Sequence, residues 1–274
     1  MPDHLSGRDV VFAPESAGGS LGLQPRSFSI AQIGAALVVG WRTFRGIPGP
    51  SVAYAAVFAV IGAVLLWGAG RLGLSPMALP LAGGFMLVGP ALLTGFFRLA
   101  DLHAAGRTPR FGDALAAFPS ASAGLWVVAL LCAFLFLIWV TDAAVLYAFT
   151  VGGRPLGYEL PWLLAWQRDV VAFELWAALL GSALAFMILA VSAFSVPLLH
   201  DHRASLAPAV SASVRAVVGN LPASIGWALL LSGGILLSIL LLPLLLVTLP
   251  VLAYASRALY LAVFPPARDA ATDG

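Results

Sequence analysis

Two carboxylates lie inside long apolar runs, where an ionised side chain is costly. Asp142 lies within the run of residues 124–149, and Glu174 lies near the start of the next run. A charge at the centre of a membrane helix costs about 2.5–3.5 kcal/mol, so each carboxylate is a candidate functional group. Both fall in the outer half of the bilayer at about 1.5 Å per residue. They could form a proton or cation site, or could lie at the interface and bond Arg154 and Arg168.

A second group of polar side chains follows the apolar runs 77–97 and 170–199. It consists of Asp101, His103, His200, Asp201 and His202. Carboxylates and imidazoles can bind zinc or iron. However, His200 and His202 are two residues apart and project from different faces of a helix. We therefore predict no metal site, and Asp101, His103, His200 and His202 are the residues that would form one.

The same side chains could form a polar cap at the boundary with water. Arg257 lies near the inner end of the last apolar run, at a depth where it could meet Asp101 or Asp201. A cation among carboxylates would lower the cost of placing any of them near hydrocarbon. We predict that Asp101, Asp201 and Arg257 form a structural cap.

Motifs of the common enzyme classes are absent from the sequence. There is no Lys at all, and no GxxxxGK[ST], GxSxG or HExxH pattern. The single cysteine, Cys132, lies in an apolar run, and no apolar run has a histidine in its middle to ligate haem. We expect neither catalytic residues nor a cofactor, and the sequence favours a protein that is not an enzyme.

The elements that carry these residues are membrane helices. Hydrophobic residues make up 61% of the 274 residues and charged residues only 9%, against about 25% charged in a soluble domain. A membrane span needs about 20 apolar residues. The runs predict an all-α bundle of six spans in three hairpins, over residues 51–72, 77–97, 124–149, 170–199, 221–242 and 243–264.

The last two of these spans come from one run of 44 residues, 221–264. Pro243 and Pro250 lie inside it, and proline suits the first turn of a helix but breaks its interior. We therefore divide the run near Leu242–Pro243. A run that spans only once, with its second part along the membrane surface, is the alternative.

Arginine placement predicts the orientation, because cytoplasmic loops are enriched in basic residues. With six spans and both termini inside, 11 of the 14 arginines lie on the cytoplasmic side, and only Arg71, Arg154 and Arg168 lie outside. The lack of Lys is typical of a GC-rich genome. These features predict a multi-pass protein of a bacterial cytoplasmic (inner) membrane.

Three amphipathic segments, 28–45, 110–118 and 205–219, each precede a proline and an odd-numbered span. Helices of this kind lie in the plane of the headgroups. The unit of in-plane helix, proline and two spans occurs three times, which suggests an internal repeat. Residues 28–264 would form one transmembrane domain between disordered tails at 1–27 and 265–274.

Several short motifs resemble a known family. They include FSVPLLHD at 194–201, SVRAV at 213–217 with Asn220, and GWRTF at 40–44. Together they resemble an uncharacterised bacterial family of integral membrane proteins, known as a domain of unknown function. Some relatives are labelled as subunits of cytochrome c oxidase. The family tends to have an acidic residue at position 98, and Leu and Arg at positions 200 and 202, so the resemblance implies no mechanism based on the histidines.

The function that these observations favour is non-enzymatic. We predict an accessory, assembly or scaffold component of a membrane complex, such as a respiratory one, with the lipid bilayer as its other partner and no nucleic acid. A net charge of +2 gives no basis for binding nucleic acid. The alternative is a small proton- or cation-coupled transporter that uses Asp142 and Glu174.

Overall fold

The computed structural model describes residues 23–72, 92–150, 152 and 168–266, and within these ranges the chain is helical and has no strand. All-helical structure satisfies every backbone group inside its own segment, as hydrocarbon requires. The helices are α1 (Ile30–Gly46), α2 (Pro48–Arg71), α3 (residues 92–104), α4 (Phe111–Leu115), α5 (Ala123–Thr150), α6 (Arg168–Ser192), α7 (Ser195–His200), α8 (Leu206–Gly219), α9 (Leu221–Leu240) and α10 (Leu245–Val263).

Five segments of the described residues are long and apolar enough to cross a membrane. They are Pro48–Arg71, Ala123–Thr150, Asp169–His200, Leu221–Ser238 and Leu242–Val263. The predicted class, an all-α membrane bundle, is confirmed. Most of the predicted span 77–97 lies outside the described residues, as do residues 1–22 and 267–274 of the predicted tails, so the count of six spans stays a prediction.

The long apolar run is divided near Pro243, as predicted, whereas Pro250 lies inside α10. A short 3-10 turn, Leu242–Leu244, separates α9 from α10. The two helices then pack against each other, since a Cβ added at Gly234 would lie 3.2 Å from the side chain of Leu252. Residues 221–264 are therefore two helices that form a hairpin.

Two pairs of consecutive helices are joined by the same hinge. Between α1 and α2 the backbone of Ile47 has φ −137° and ψ 54°, and between α8 and α9 Asn220 has φ −128° and ψ 44°. A buried serine follows each hinge by four residues, Ser51 in one and Ser224 in the other. These matches agree with a repeat of the first and third units, whereas the helix of the second unit, α4, has only five residues.

Helix α1 packs antiparallel along α10. The backbone N–H of Arg26, just before α1, donates to the carbonyl of Val263 at 3.0 Å. Further along, a Cβ at Gly40 would lie 2.5 Å from the carbonyl oxygen of Val251, so only glycine allows this approach. The buried residues of α1 are Ile33, Ala36, Gly40 and Phe44.

This pairing bears on two predictions, the in-plane helix 28–45 and the span 243–264, and both stay predictions. An antiparallel partner shares the orientation of its neighbour, so α1 cannot lie in the membrane plane while α10 crosses it. The two predictions, an in-plane helix at 28–45 and a span at 243–264, exclude each other. Within this segment Ile33 and Phe44 are buried, whereas Ile30 and Trp41 are exposed.

Candidate functional site

The ends of three helices bring three charged residues together. Arg257 of α10 reaches Asp101 of α3 and Asp201, which directly follows α7. Its Nε donates to Oδ1 of Asp101 at 3.1 Å and its Nη1 to Oδ2 of Asp201 at 2.9 Å. Its Nη2 also lies 2.8 Å from Oδ1 of Asp201. We call these three residues the ion-pair cluster, and the guanidinium bridges both carboxylates at once.

The cluster continues through hydrogen bonds on both sides. Nε2 of His200 lies 3.3 Å from Oδ2 of Asp101, and the hydroxyl of Tyr260 donates to Oδ2 of Asp201 at 3.0 Å. Arg203 donates to that hydroxyl at 3.1 Å and to the carbonyl of Phe264 at 2.6 Å. A cation bonded to the last carbonyls stabilises the C-terminus of a helix, so Arg203 holds the end of α10 against the loop after α7.

Local sequence explains how these side chains are presented. Arg257 and Tyr260 are three residues apart on α10 and share one face. The chain reverses after α7 by a left-handed residue, His202, at φ 53°. The N–H of His202 bonds the carbonyl of Leu199, and the N–H of Arg203 bonds the carbonyl of Leu198. This is the Schellman arrangement that usually has glycine at the left-handed position.

The cluster is partly shielded from solvent. The side chain of Arg257 is 10% exposed, that of Asp201 18% and that of Asp101 39%. The guanidinium carbon lies 5.8 Å from the centre of the Phe97 ring and 5.2 Å from that of Tyr260. Burial acts to raise the pKa of Asp101, but the hydrogen bond from His200 and the charge of Arg257 outweigh it, so the pKa is lowered from its usual value. Asp101 is therefore a carboxylate at neutral pH.

Three groups in the cluster could ligate a metal. Ligand atoms of Asp101, His200 and Asp201 lie within 4.8 Å of one another. Arg257 contacts both carboxylates, however, so a cation could bind them only by displacing the guanidinium. Such an arrangement fits an internal ion pair better than a metal centre.

The other predicted metal ligands are placed elsewhere. His103 lies against α1, where a Cβ at Gly46 would be 2.6 Å from its Nε2. His202 is exposed and makes the turn after α7. The four predicted ligands therefore do not converge on one point. Asp101 and His200 are in contact, but His103 and His202 lie elsewhere.

The two carboxylates predicted as an ion site have different surroundings. Asp142 is exposed on α5, while Glu174 is partly buried on α6. Helices α5 and α6 pack antiparallel, with the Trp139 ring against Gly181. No contact joins Asp142 to Glu174 among the described residues. The predicted bonds to Arg154 and Arg168 fall on side chains outside the described part of the chain.

Glu174 borders a large cavity that the sequence did not predict. We call this space, of about 510 Å³, the central cavity; it lies between α3, α6, α9 and α10. Its walls are mostly apolar and aromatic, and one wall residue, Phe97, also lies against the guanidinium of Arg257. The wall includes Phe97, Trp139, Glu174, Ser182, Trp227 and Ser232.

Comparison with known proteins supports the membrane class. Residues 78–201 match the model of a family described as a predicted integral membrane protein (DUF2189). The resemblance inferred from the motifs is thereby confirmed. The matched region contains Asp101, His200 and Asp201 and ends at the last of them. No curated protein and no solved structure shows significant similarity to the chain.

Proposed function

We propose that this integral membrane protein is a non-enzymatic accessory, assembly or scaffold component of a membrane complex. The observation that supports the proposal is the ion-pair cluster. Asp101 and Asp201 both bond Arg257, and the remaining polar neighbours bond the same carboxylates or helix ends. A group built in this way fastens helices to one another, and it presents no free acid, base or nucleophile to a substrate.

The experiment is photo-crosslinking in native membranes. A photoreactive residue replaces Val38 on α1 in one variant and Leu130 on α5 in the other, because these side chains are 50% and 72% exposed. We expect one of the two positions to crosslink to a single partner protein, with a constant ratio of partner to this chain. The other position should crosslink to lipid. Lipid adducts alone at both sites would contradict the scaffold proposal.

The location proposed for this complex is the cytoplasmic membrane of a bacterium, with both termini of the chain in the cytoplasm. Its support is the arginine distribution together with the helices that can span. A C-terminal fluorescent protein fusion should be bright and a C-terminal alkaline phosphatase fusion inactive. The reverse result would place Arg257 near the outer face and refute the orientation.

A transporter is the second candidate, and the position of Glu174 in the wall of the central cavity favours it. A carboxylate beside an internal space could carry a proton or cation between two states. In proteoliposomes a transporter would give a pH-driven flux that Glu174→Gln abolishes. We expect no such flux, and we expect Asp142→Asn to leave expression, insertion and partner co-purification unchanged.

A further inference from the structure

The central cavity has the shape of a slot. Its wall follows α6 from Glu174 to Ser192, which is about 27 Å at about 1.5 Å per residue. A volume of about 510 Å³ distributed over this length is narrow. Such a space suits one extended chain.

The chemistry of the wall is that of a hydrocarbon site with a few polar positions. Two buried indoles, Trp139 and Trp227, face the cavity, and they are 5% and 3% exposed. Ser192 and Ser256 also border it, but their hydroxyls donate to carbonyls of their own helices, Ile188 at 2.7 Å and Leu252 at 2.8 Å. Ligand pockets typically combine apolar walls with a few such polar groups.

Three polar side chains of the wall are different. Glu174, Ser182 and Ser232 make no hydrogen bond to another described residue. A carboxylate in an apolar setting needs a donor, because leaving it unbonded costs free energy. A ligand that brings a hydrogen-bond donor to Glu174 would supply one.

The end of the slot away from Glu174 has no free donor among the described wall residues. Phe97 and Pro197 line it there, and the guanidinium of Arg257, which lies over the Phe97 ring, is already bonded to two carboxylates. A polar head group therefore finds its partner at the Glu174 end, and the apolar tail points toward Phe97.

We infer that the central cavity binds one long-chain alcohol, with its hydroxyl donating to Glu174 and its hydrocarbon chain between α6 and α9. The bilayer dissolves such amphiphiles, and a chain in the slot restores dispersion contacts that an empty space would lose. The inference goes beyond the proposed function and does not depend on it, since either a scaffold or a transporter could hold such a molecule.

The test uses brominated hexadecanol as a quencher of tryptophan fluorescence in proteoliposomes. Trp139 and Trp227 are shielded from bulk lipid, so a bromine in the slot quenches them in a saturable manner. We expect the saturable part to disappear in the double variant Trp139→Phe and Trp227→Phe. It should persist in Trp126→Phe, because Trp126 is 50% exposed and reports only bulk lipid.

Two variants separate the tail from the head group. Ser232→Phe fills the slot and should abolish saturable quenching, whereas Gly233→Phe places the ring where a Cβ meets nothing within 4 Å and should not. Glu174→Leu should weaken binding of the alcohol about tenfold, the effect of losing one hydrogen bond to a charged group. It should leave binding of brominated hexadecane unchanged, and Asp142→Leu should leave binding of both probes unchanged.

Quenching that rises without saturation would overturn the inference, as would saturable quenching that survives Ser232→Phe in protein with an unchanged melting temperature. Equal effects of Glu174→Leu on alcohol and alkane would refute the role of the head group. If Ser232→Phe fails to fold, the comparison of the two probes in Glu174→Leu still decides the question.

Discussion

The ion-pair cluster and the central cavity both border the Phe97 ring, but their carboxylates have opposite surroundings. In the cluster, Asp101 and Asp201 share one guanidinium at 3.1 and 2.9 Å. In the cavity, Glu174 has no bonding partner among the described residues. The difference indicates that the cluster serves stability, and it supports the inference that Glu174 bonds a ligand.

The largest effect is expected from breaking the cluster. Arg257→Met leaves two carboxylates facing each other without a cation, and removing one partner of a buried pair costs about 3–5 kcal/mol. Because Asp101 is 39% exposed, we expect a loss near the lower end, about 3 kcal/mol of unfolding free energy. Denaturation in mixed micelles, followed by tryptophan fluorescence, measures it.

A control and a rescue accompany this variant. Arg215→Met removes an exposed arginine whose only hydrogen bond to a described residue is to Ser211 on its own helix, and it should change stability by less than about 0.5 kcal/mol. Adding Asp101→Asn and Asp201→Asn to Arg257→Met should recover much of the loss, because the unpaired charges are then gone. If Arg257→Met is as stable as Arg215→Met, the cluster does not serve stability.

The second-largest effect is expected from acid, which should weaken the ion-pair cluster. The folded pKa of Asp101 is lowered, since burial, which raises it, is outweighed by His200 and Arg257. Its contribution to stability is therefore fully present above the unfolded pKa of about 3.9, and it is lost as the pH falls through the folded pKa. The melting temperature of the wild type should fall more steeply below about pH 4 than that of Asp101→Asn. Parallel curves would contradict the assignment.

A smaller change of opposite sign is expected at the turn that presents Asp201. His202 has φ 53°, a conformation that costs a residue with a Cβ about 1 kcal/mol. His202→Gly should therefore raise the unfolding free energy by about 1 kcal/mol. The matched control is Gly106, which follows α3 at φ 71°, and where Gly106→Ala should have the opposite effect. A loss of stability in His202→Gly would mean that the imidazole itself matters.

The smallest effect on stability is expected in the cavity. Glu174→Gln keeps the shape of the side chain but removes a charge that bonds no described residue, so unfolding free energy should change by less than about 0.5 kcal/mol. Its melting curve should also retain the acid dependence of the wild type. A loss comparable to that of Arg257→Met would show that Glu174 is a structural carboxylate, and it would remove the contrast between the two regions.

The depth of residues along their apolar runs predicted part of the ion-pair cluster. The distance of Arg257 from the end of its run limited its partners to Asp101 or Asp201, and the structure shows contact with both. His200 was grouped with the same residues for its chemistry, and its contact is with Asp101. Tyr260 and Arg203 were not predicted, because aromatic and basic residues near a membrane surface are too common to indicate one particular hydrogen bond.

Composition, the lengths of the apolar runs and the positions of proline determined the class, the helices and the break at Leu242–Leu244. These depend on the transfer of short segments into hydrocarbon and on backbone geometry, which neighbouring residues set. Only the tertiary structure decided that α1 pairs with α10, that one guanidinium joins two carboxylates, and that a slot lies beside Glu174. Such features depend on side-chain fit between segments more than 200 residues apart, such as those of Ser51 and Tyr254, whose hydroxyls form a hydrogen bond across 203 positions. Hydropathy along the chain carries no information about that fit.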